Sequence, residues 1–471
     1  MNSTARRSLS RHHLARLARW PTSAVIVATG LLAASCAGHP SAPGGARDAA
    51  APAEPPGLAA PVRERLPNGF KLIVQEHWAA DVVAIYLWVA AGVRDEKPDQ
   101  LGDAHFQEHM LFKGTDTWGP GYIDRAVEGV GGRKNAVTSL DYTTYFMTLP
   151  ADQLESGVRI LAGMAFRSIF DPVEIDRERE VIFQEARIEQ DTPRTAMIRQ
   201  LYALAFPGNP YGRPPLGTPE TLNSATRDRL LNYYRLHYTP DNMTLVVVGP
   251  VTPTAVRAIA EREFGRQGNS GFTRGPAPGA APISGRSARD VERPERQAML
   301  GMAWIAPKAD DPSGYAVDLL ATILAGAESA RLVESLRDRE GLVQSVRMSY
   351  APLQGAGLVT LIATTEAQDL PAVEQAVLAE ITRIQEQGVT EEERQLAITR
   401  AESRFAFDRE TSDGLAFAYG IAEVTWSLDE ELRYVDTLRG ITREQIQEAA
   451  RRWLSTTSYV RVAFAPGKAA R

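Results

Sequence analysis

LGDAHFQEHMLFKG, residues Leu101 to Gly114, sets two histidines and a glutamate in the order H-x-x-E-H, at His105, Glu108 and His109. On a helix His105 and His109 lie one turn apart on one face, so two imidazole nitrogens can reach a single Zn²⁺. Glu108 falls beside them, where a carboxylate can take a proton from a water polarised by the metal. A surface helix with two solvated histidines is the alternative. In this composition the pattern arises by chance in about one chain in a hundred.

Two histidines leave zinc short of ligands, because a catalytic site usually has three protein donors and an open position. Downstream, EREVIFQE places Glu178 and Glu185 seven residues apart, hence two turns apart on one helical face. A solvated acidic face has the same spacing, so spacing alone leaves both readings open.

Around these segments the chain alternates strand-like runs with amphipathic stretches of helical length. The strand-like runs are Phe70 to Val74, Val82 to Ala90, Tyr142 to Leu149 and Met243 to Val248, and the helical stretches are Leu154 to Ile169, Glu174 to Glu189 and Arg227 to His237. The pattern predicts sheets covered by helices, an α+β fold. A Gly-, Pro- and Ser-rich stretch from about Arg266 to Arg289 is the candidate interdomain linker. Across it the sequence repeats at an offset of 216: Thr221-Leu222 and Thr226-Arg227 fall on Thr437-Leu438 and Thr442-Arg443, and Pro250 falls on Pro466. Shared helix caps explain part of this. Duplication explains all of it, and it reduces the roughly three domains suggested by 471 residues to two related halves of about 200 residues.

Composition narrows the function. With 44% hydrophobic and 23% charged residues the chain is ordinary globular protein, and 58 acids against 52 bases disfavour nucleic acid as a partner. One cysteine excludes an internal disulfide and a thiolate zinc finger. Gly129, Gly131 and Gly132 do not open a helix after a strand, so they read as a turn and not as a phosphate loop.

The first 35 residues carry Arg6, Arg7, Arg11, Arg16 and Arg19, no acid, and then the apolar run Ala24 to Ala34, the make-up of a signal peptide. Its end, LAASC, resembles the lipobox of bacterial lipoproteins, with Cys36 as the lipidated residue and Ala33 where a large aliphatic is usual. Export by Sec or Tat stays open. Loss of the five arginines moves the net charge from −6 to −11, which disfavours adhesion to anionic lipid beyond an acyl anchor. The expected layout is a signal at 1–35, a Pro/Ala/Gly-rich tether at 36–64, a metal-binding half at 65–268, a linker at 269–290 and a second half at 291–467. The expected location is the periplasm, with a lipid anchor in the outer or inner membrane.

HFQEHMLFKGT followed by Glu185 resembles the inverzincin peptidases of the M16 family, such as pitrilysin, insulin-degrading enzyme and the mitochondrial processing peptidase. NGFKLIVQE, NAVTSLDYTTY (Asn135 to Tyr145) and YTPDNMTLVVVG (Tyr238 to Gly249) extend the likeness over nearly all of the chain after Leu66, and the length and two-half layout match the short, dimeric members. The resemblance implies His105, His109 and Glu185 as ligands of one Zn²⁺ per chain. It also implies Glu108 as general base, Glu178 as a supporting carboxylate, and peptides or unfolded polypeptides as substrates. Asn135 and Ala136 would line an edge strand that takes substrate by β-augmentation; an ordinary edge strand is the alternative. A non-catalytic scaffold or binding subunit is the competing function, and it need not keep these five residues together.

No histidine lies beyond His237, so the second half cannot repeat the site. Family members carry there an arginine and a tyrosine, seven residues apart, that hold substrate in trans across a dimer. Arg337 stands at the arginine position and Gln344 at the tyrosine position. This predicts a heterodimer with a paralogue that lacks H-x-x-E-H and keeps the Arg/Tyr pair. The alternative is a homodimer in which Gln344 or the nearby Tyr350 suffices.

Overall fold

The computed structural model describes residues 59–467; the expected signal, Cys36 and most of the expected tether lie outside them. Six strands form the first sheet: β1 (Val62–Arg65), β2 (Lys71–Glu76), β3 (Val82–Val89), β4 (Arg133–Thr138), β5 (Thr143–Pro150) and β6 (Met243–Gly249), in the spatial order β1-β2-β6-β3-β5-β4. Five form the second: β7 (Arg286–Arg293), β8 (Ala298–Ala306), β9 (Val343–Pro352), β10 (Gly357–Thr365) and β11 (Tyr459–Pro466), in the order β7-β11-β8-β10-β9. β2 with β6 and β7 with β11 are parallel; the other pairs are antiparallel. Apart from β1 the two sheets have one topology, and the fold is α+β with two like halves.

The repeat at 216 is structural. The helix Arg227–His237 falls on Arg443–Trp453, Leu154–Arg167 starts in register with Leu370–Gln387, and β3 starts in register with β8. The two threonines that gave the repeat away do the same work. Thr226 caps the first of these helices by accepting from Arg229 N, and Thr442 caps its counterpart by accepting from Gln445 N.

β3 reads as an unbroken apolar run because both of its faces are covered. Val83, Ile85, Leu87 and Val89 join the core under the first half's own helices, while Ala84, Tyr86 and Trp88 face the other way. That second face is covered by Ser412–Thr425, a helix from the other half of the chain. Reciprocally, Pro193–Ala205 of the first half covers β8 and β11 of the second sheet. The halves therefore exchange helices, and each completes the other's core.

Two expected boundaries shift. β1 begins at Val62, inside the expected tether, and β7 begins at Arg286, inside the expected linker. Both are polar edge strands (VRER and RSARDVER), a composition that looks like coil until a neighbouring strand supplies the hydrogen bonds. Nor is the stretch before β7 a free tether: Arg274 Nη2 binds Asp95 Oδ2 at 2.6 Å and the Asp141 carbonyl at 2.7 Å, and Ala280 and Ile283 pack against the second sheet. The expected glycine turn is present, with Gly131 at φ +77° leading the chain into β4.

Candidate active site

The motif segment forms the helix Asp103–Met110, and all eight of its residues are buried. So short a helix cannot hold itself, since most of its backbone donors and acceptors lie in its end turns. Glu96 Oε1 accepts from Gly102 N at 3.1 Å and Ala104 N at 2.9 Å, Asp103 takes a bidentate ion pair from Arg229, and Gln107 Nε2 donates to the Leu230 carbonyl at 3.0 Å. Gly102, at φ +92°, starts the helix where a Cβ would meet Leu216 O and Gly217 at 3.0 Å. Facing it, the helix Pro172–Asp191 begins where Asp171 accepts from Val173 N, with proline in the first turn. It brings Glu178 and Glu185 to the histidines.

His105 Nε2, His109 Nε2 and Glu185 Oε2 stand in a triangle with sides of 3.1, 3.1 and 3.4 Å. Donors bound tetrahedrally to zinc lie about 3.3 Å apart, so this set fits the ion. His109 Nδ1 is 2.8 Å from Glu178 Oε2, and the Lys113 ammonium is 2.7 Å from Glu178 Oε1. Such a carboxylate fixes the ring's orientation and tautomer. The same four residues and Glu108 are the ones singled out in the sequence.

Glu108 sits beside the triangle, its Oε2 3.5 Å from His105 Nδ1 and accepting a 2.6 Å hydrogen bond from Thr138 Oγ1. Burial opposes its charge, but the two imidazoles and Thr138 outweigh burial and hold its carboxyl below the ordinary range. Glu185 is likewise pushed down to about 2 against the effect of burial, by hydrogen bonds from His105 and His109. His109 goes the other way: burial lowers it, yet Glu178 and Glu185 raise it to about 9. Three carboxylates around two imidazoles leave an excess of negative charge, the electrostatic setting for a dication.

Asn135, Ala136 and Thr138 lie on β4, an edge strand of the first sheet, which among the described residues pairs with β5 alone. Asn135 is exposed and Ala136 buried. Thr138 and Lys113 join this cluster without a spacing signal of their own, though both stand in the segments already quoted, one at the end of NAVT and one in LFKG.

The second half supplies no donors at the matching places. At 216 positions on from His105, Glu108, His109 and Glu185 stand Ala321, Leu324, Ala325 and Ala401, all buried in the second core. Arg337 is not brought to the triangle; its partners are Glu328 and Asp338. Gln344 is exposed and accepts from Gln297 Nε2 at 2.6 Å. Tyr350, the alternative to the tyrosine, has its ring half-buried against the second core, and its hydroxyl donates to the Pro307 carbonyl at 2.7 Å.

Comparison with known proteins decides the family. Residues 72–219 match the model for insulinase, peptidase family M16, and residues 224–400 match that for the peptidase M16 inactive domain. The chain belongs to the M16 peptidase family. An uncharacterised zinc protease of Rickettsia felis is 31% identical over 349 residues, covering 74% of this chain and 83% of the relative. One from Bacillus subtilis is 26% identical over 401 residues, covering 85% and 97%. Among solved structures, a Helicobacter pylori protease superposes with a TM-score of 0.82 at 21% identity, over 87% of this chain and 100% of that one. The Escherichia coli periplasmic protease PqqL gives 0.73 at 21% identity, over 89% of this chain and 49% of its own. The erased second site agrees with the M16 inactive-domain match.

Proposed function

We propose that the chain is an exported, zinc-dependent endopeptidase or oligopeptidase acting on peptides and unfolded polypeptides. The observation that carries this is the His105, His109 and Glu185 triangle with Glu108 beside it. A bound zinc ion would polarise a peptide carbonyl and acidify a water. Glu108, held ionised, removes the proton of the attacking water and delivers it to the leaving amine. Glu178 and Lys113 keep His109 oriented, and the free edge of β4 lays the peptide backbone past the carboxylate. Zinc-dependent peptide hydrolysis by the wild type tests the reading. Glu108→Gln should keep about one zinc per chain and lose activity by at least about a hundredfold. Retained activity in that variant would reject the base.

We further propose that a partner subunit completes the site. Gln344 has no phenol and the half-buried Tyr350 gives its hydroxyl to the Pro307 carbonyl, which supports a paralogue carrying the Arg/Tyr pair over a homodimer. The leader and LAASC support export to the periplasm and a lipid on Cys36. Tagged protein purified from membranes of its native host tests pairing and anchoring together. A single self-associated species removes the heterodimer; recovery only in the soluble periplasmic fraction removes the anchor.

A further inference from the structure

We infer that Thr138 is a positioning residue for Glu108, and that it ties the peptide-binding edge to the chemistry. This rests on the reading of Glu108 as base and β4 as substrate edge. Thr138 is the last residue of β4, and its hydroxyl donates to Glu108 Oε2 at 2.6 Å with both groups buried. A glutamate side chain has three rotatable bonds, and this bond fixes where its carboxylate points. Among the described residues Oε1 makes no hydrogen bond, which leaves that oxygen to take and return the proton.

The consequence is geometric. Glu108 belongs to the motif helix, whereas a peptide paired along β4 takes its register from the strand. Thr138 is a polar side-chain link between the two elements, so one rigid strand sets the position of both the peptide and the base. Misplacement of a reacting group by about 1 Å can cost about a hundredfold in rate, so the link matters to turnover more than to binding.

Thr138→Val keeps the branched shape and removes the donor. With zinc content unchanged, kcat should fall about 10- to 100-fold with KM within about twofold of wild type, and Thr138→Ser should restore kcat. A merely structural role in β4 would raise KM and would not be rescued by the hydroxyl alone. A Thr138→Val enzyme with wild-type kcat overturns the inference; should it fail to fold, Thr138→Ala is held to the same criteria.

A second readout needs no turnover. In zinc-free protein, the Tm losses of Thr138→Val and Glu108→Gln should together exceed that of the double variant by about 1 to 3 °C. Additive losses overturn the inference even in an inactive protein. An inactive wild type with coupled Tm shifts would instead reject the proposed function and leave the link standing.

Discussion

His109 is held at both ring nitrogens, by Glu178 at Nδ1 and by the triangle at Nε2, and this sets how the site responds to pH. Without metal its pKa is raised from 6.5 to about 9, so its charged form stabilises the fold fully below about 6.5 and the contribution is lost as pH rises through 9. Glu185, lowered from 4.5 to about 2, contributes fully above 4.5 and loses that contribution as pH falls through 2. Both are present together between about pH 4.5 and 6.5. Zinc needs the imidazoles neutral, so it replaces a proton that the apo site holds at pH 7. Zinc binding at pH 7 should therefore release at least about one proton, and its affinity should rise up to about pH 9. Calorimetry in buffers of different ionisation enthalpy measures this; binding without proton release would mean that the apo histidines are neutral. The H-x-x-E-H spacing made His105, Glu108 and His109 legible because neighbours on a helix are fixed by the helical repeat. Glu185 was legible from spacing only as one of two readings, because its approach depends on how a second helix packs.

Helix Ser412–Thr425 shows what one element contributes to the half it does not belong to. Gly420 rests on the indole of Trp88 so closely that a Cβ there would overlap the ring. Gly420→Leu should cost about 3 kcal/mol, the upper end of overpacking, and lower the Tm of the interlocked body by about 3 to 4 °C. An unchanged melting curve would mean that the helix does not seat on β3 as described. Helix and strand positions were largely legible: Arg227 to His237 and the start of β3 match the expected limits, because caps and long apolar runs are local signals. β1 and β7 were not, since an edge strand with charged side chains owes its conformation to its neighbour's hydrogen bonds. The helix exchange was equally invisible, because an apolar helical face has no record of which sheet covers it.

The exchange makes the two halves one body. Each sheet has a face covered by a helix of the other half, so the linker is not all that keeps them together. A protease site inserted at the exposed Gly271, once cut, should leave a particle that elutes as one species and separates only in denaturant. Separation of the fragments on gel filtration would refute the interlock. At this scale the sequence by itself determined the duplication, the family, the candidate metal donors and the one half that carries them, because those depend on residue type and on spacing within one element. Only the tertiary structure decided that the donors converge on one point, that Thr138 reaches Glu108, that the Tyr350 hydroxyl is taken by the Pro307 carbonyl and that the halves interlock. These are contacts between residues far apart in the chain, and they are settled by which surfaces exclude water together.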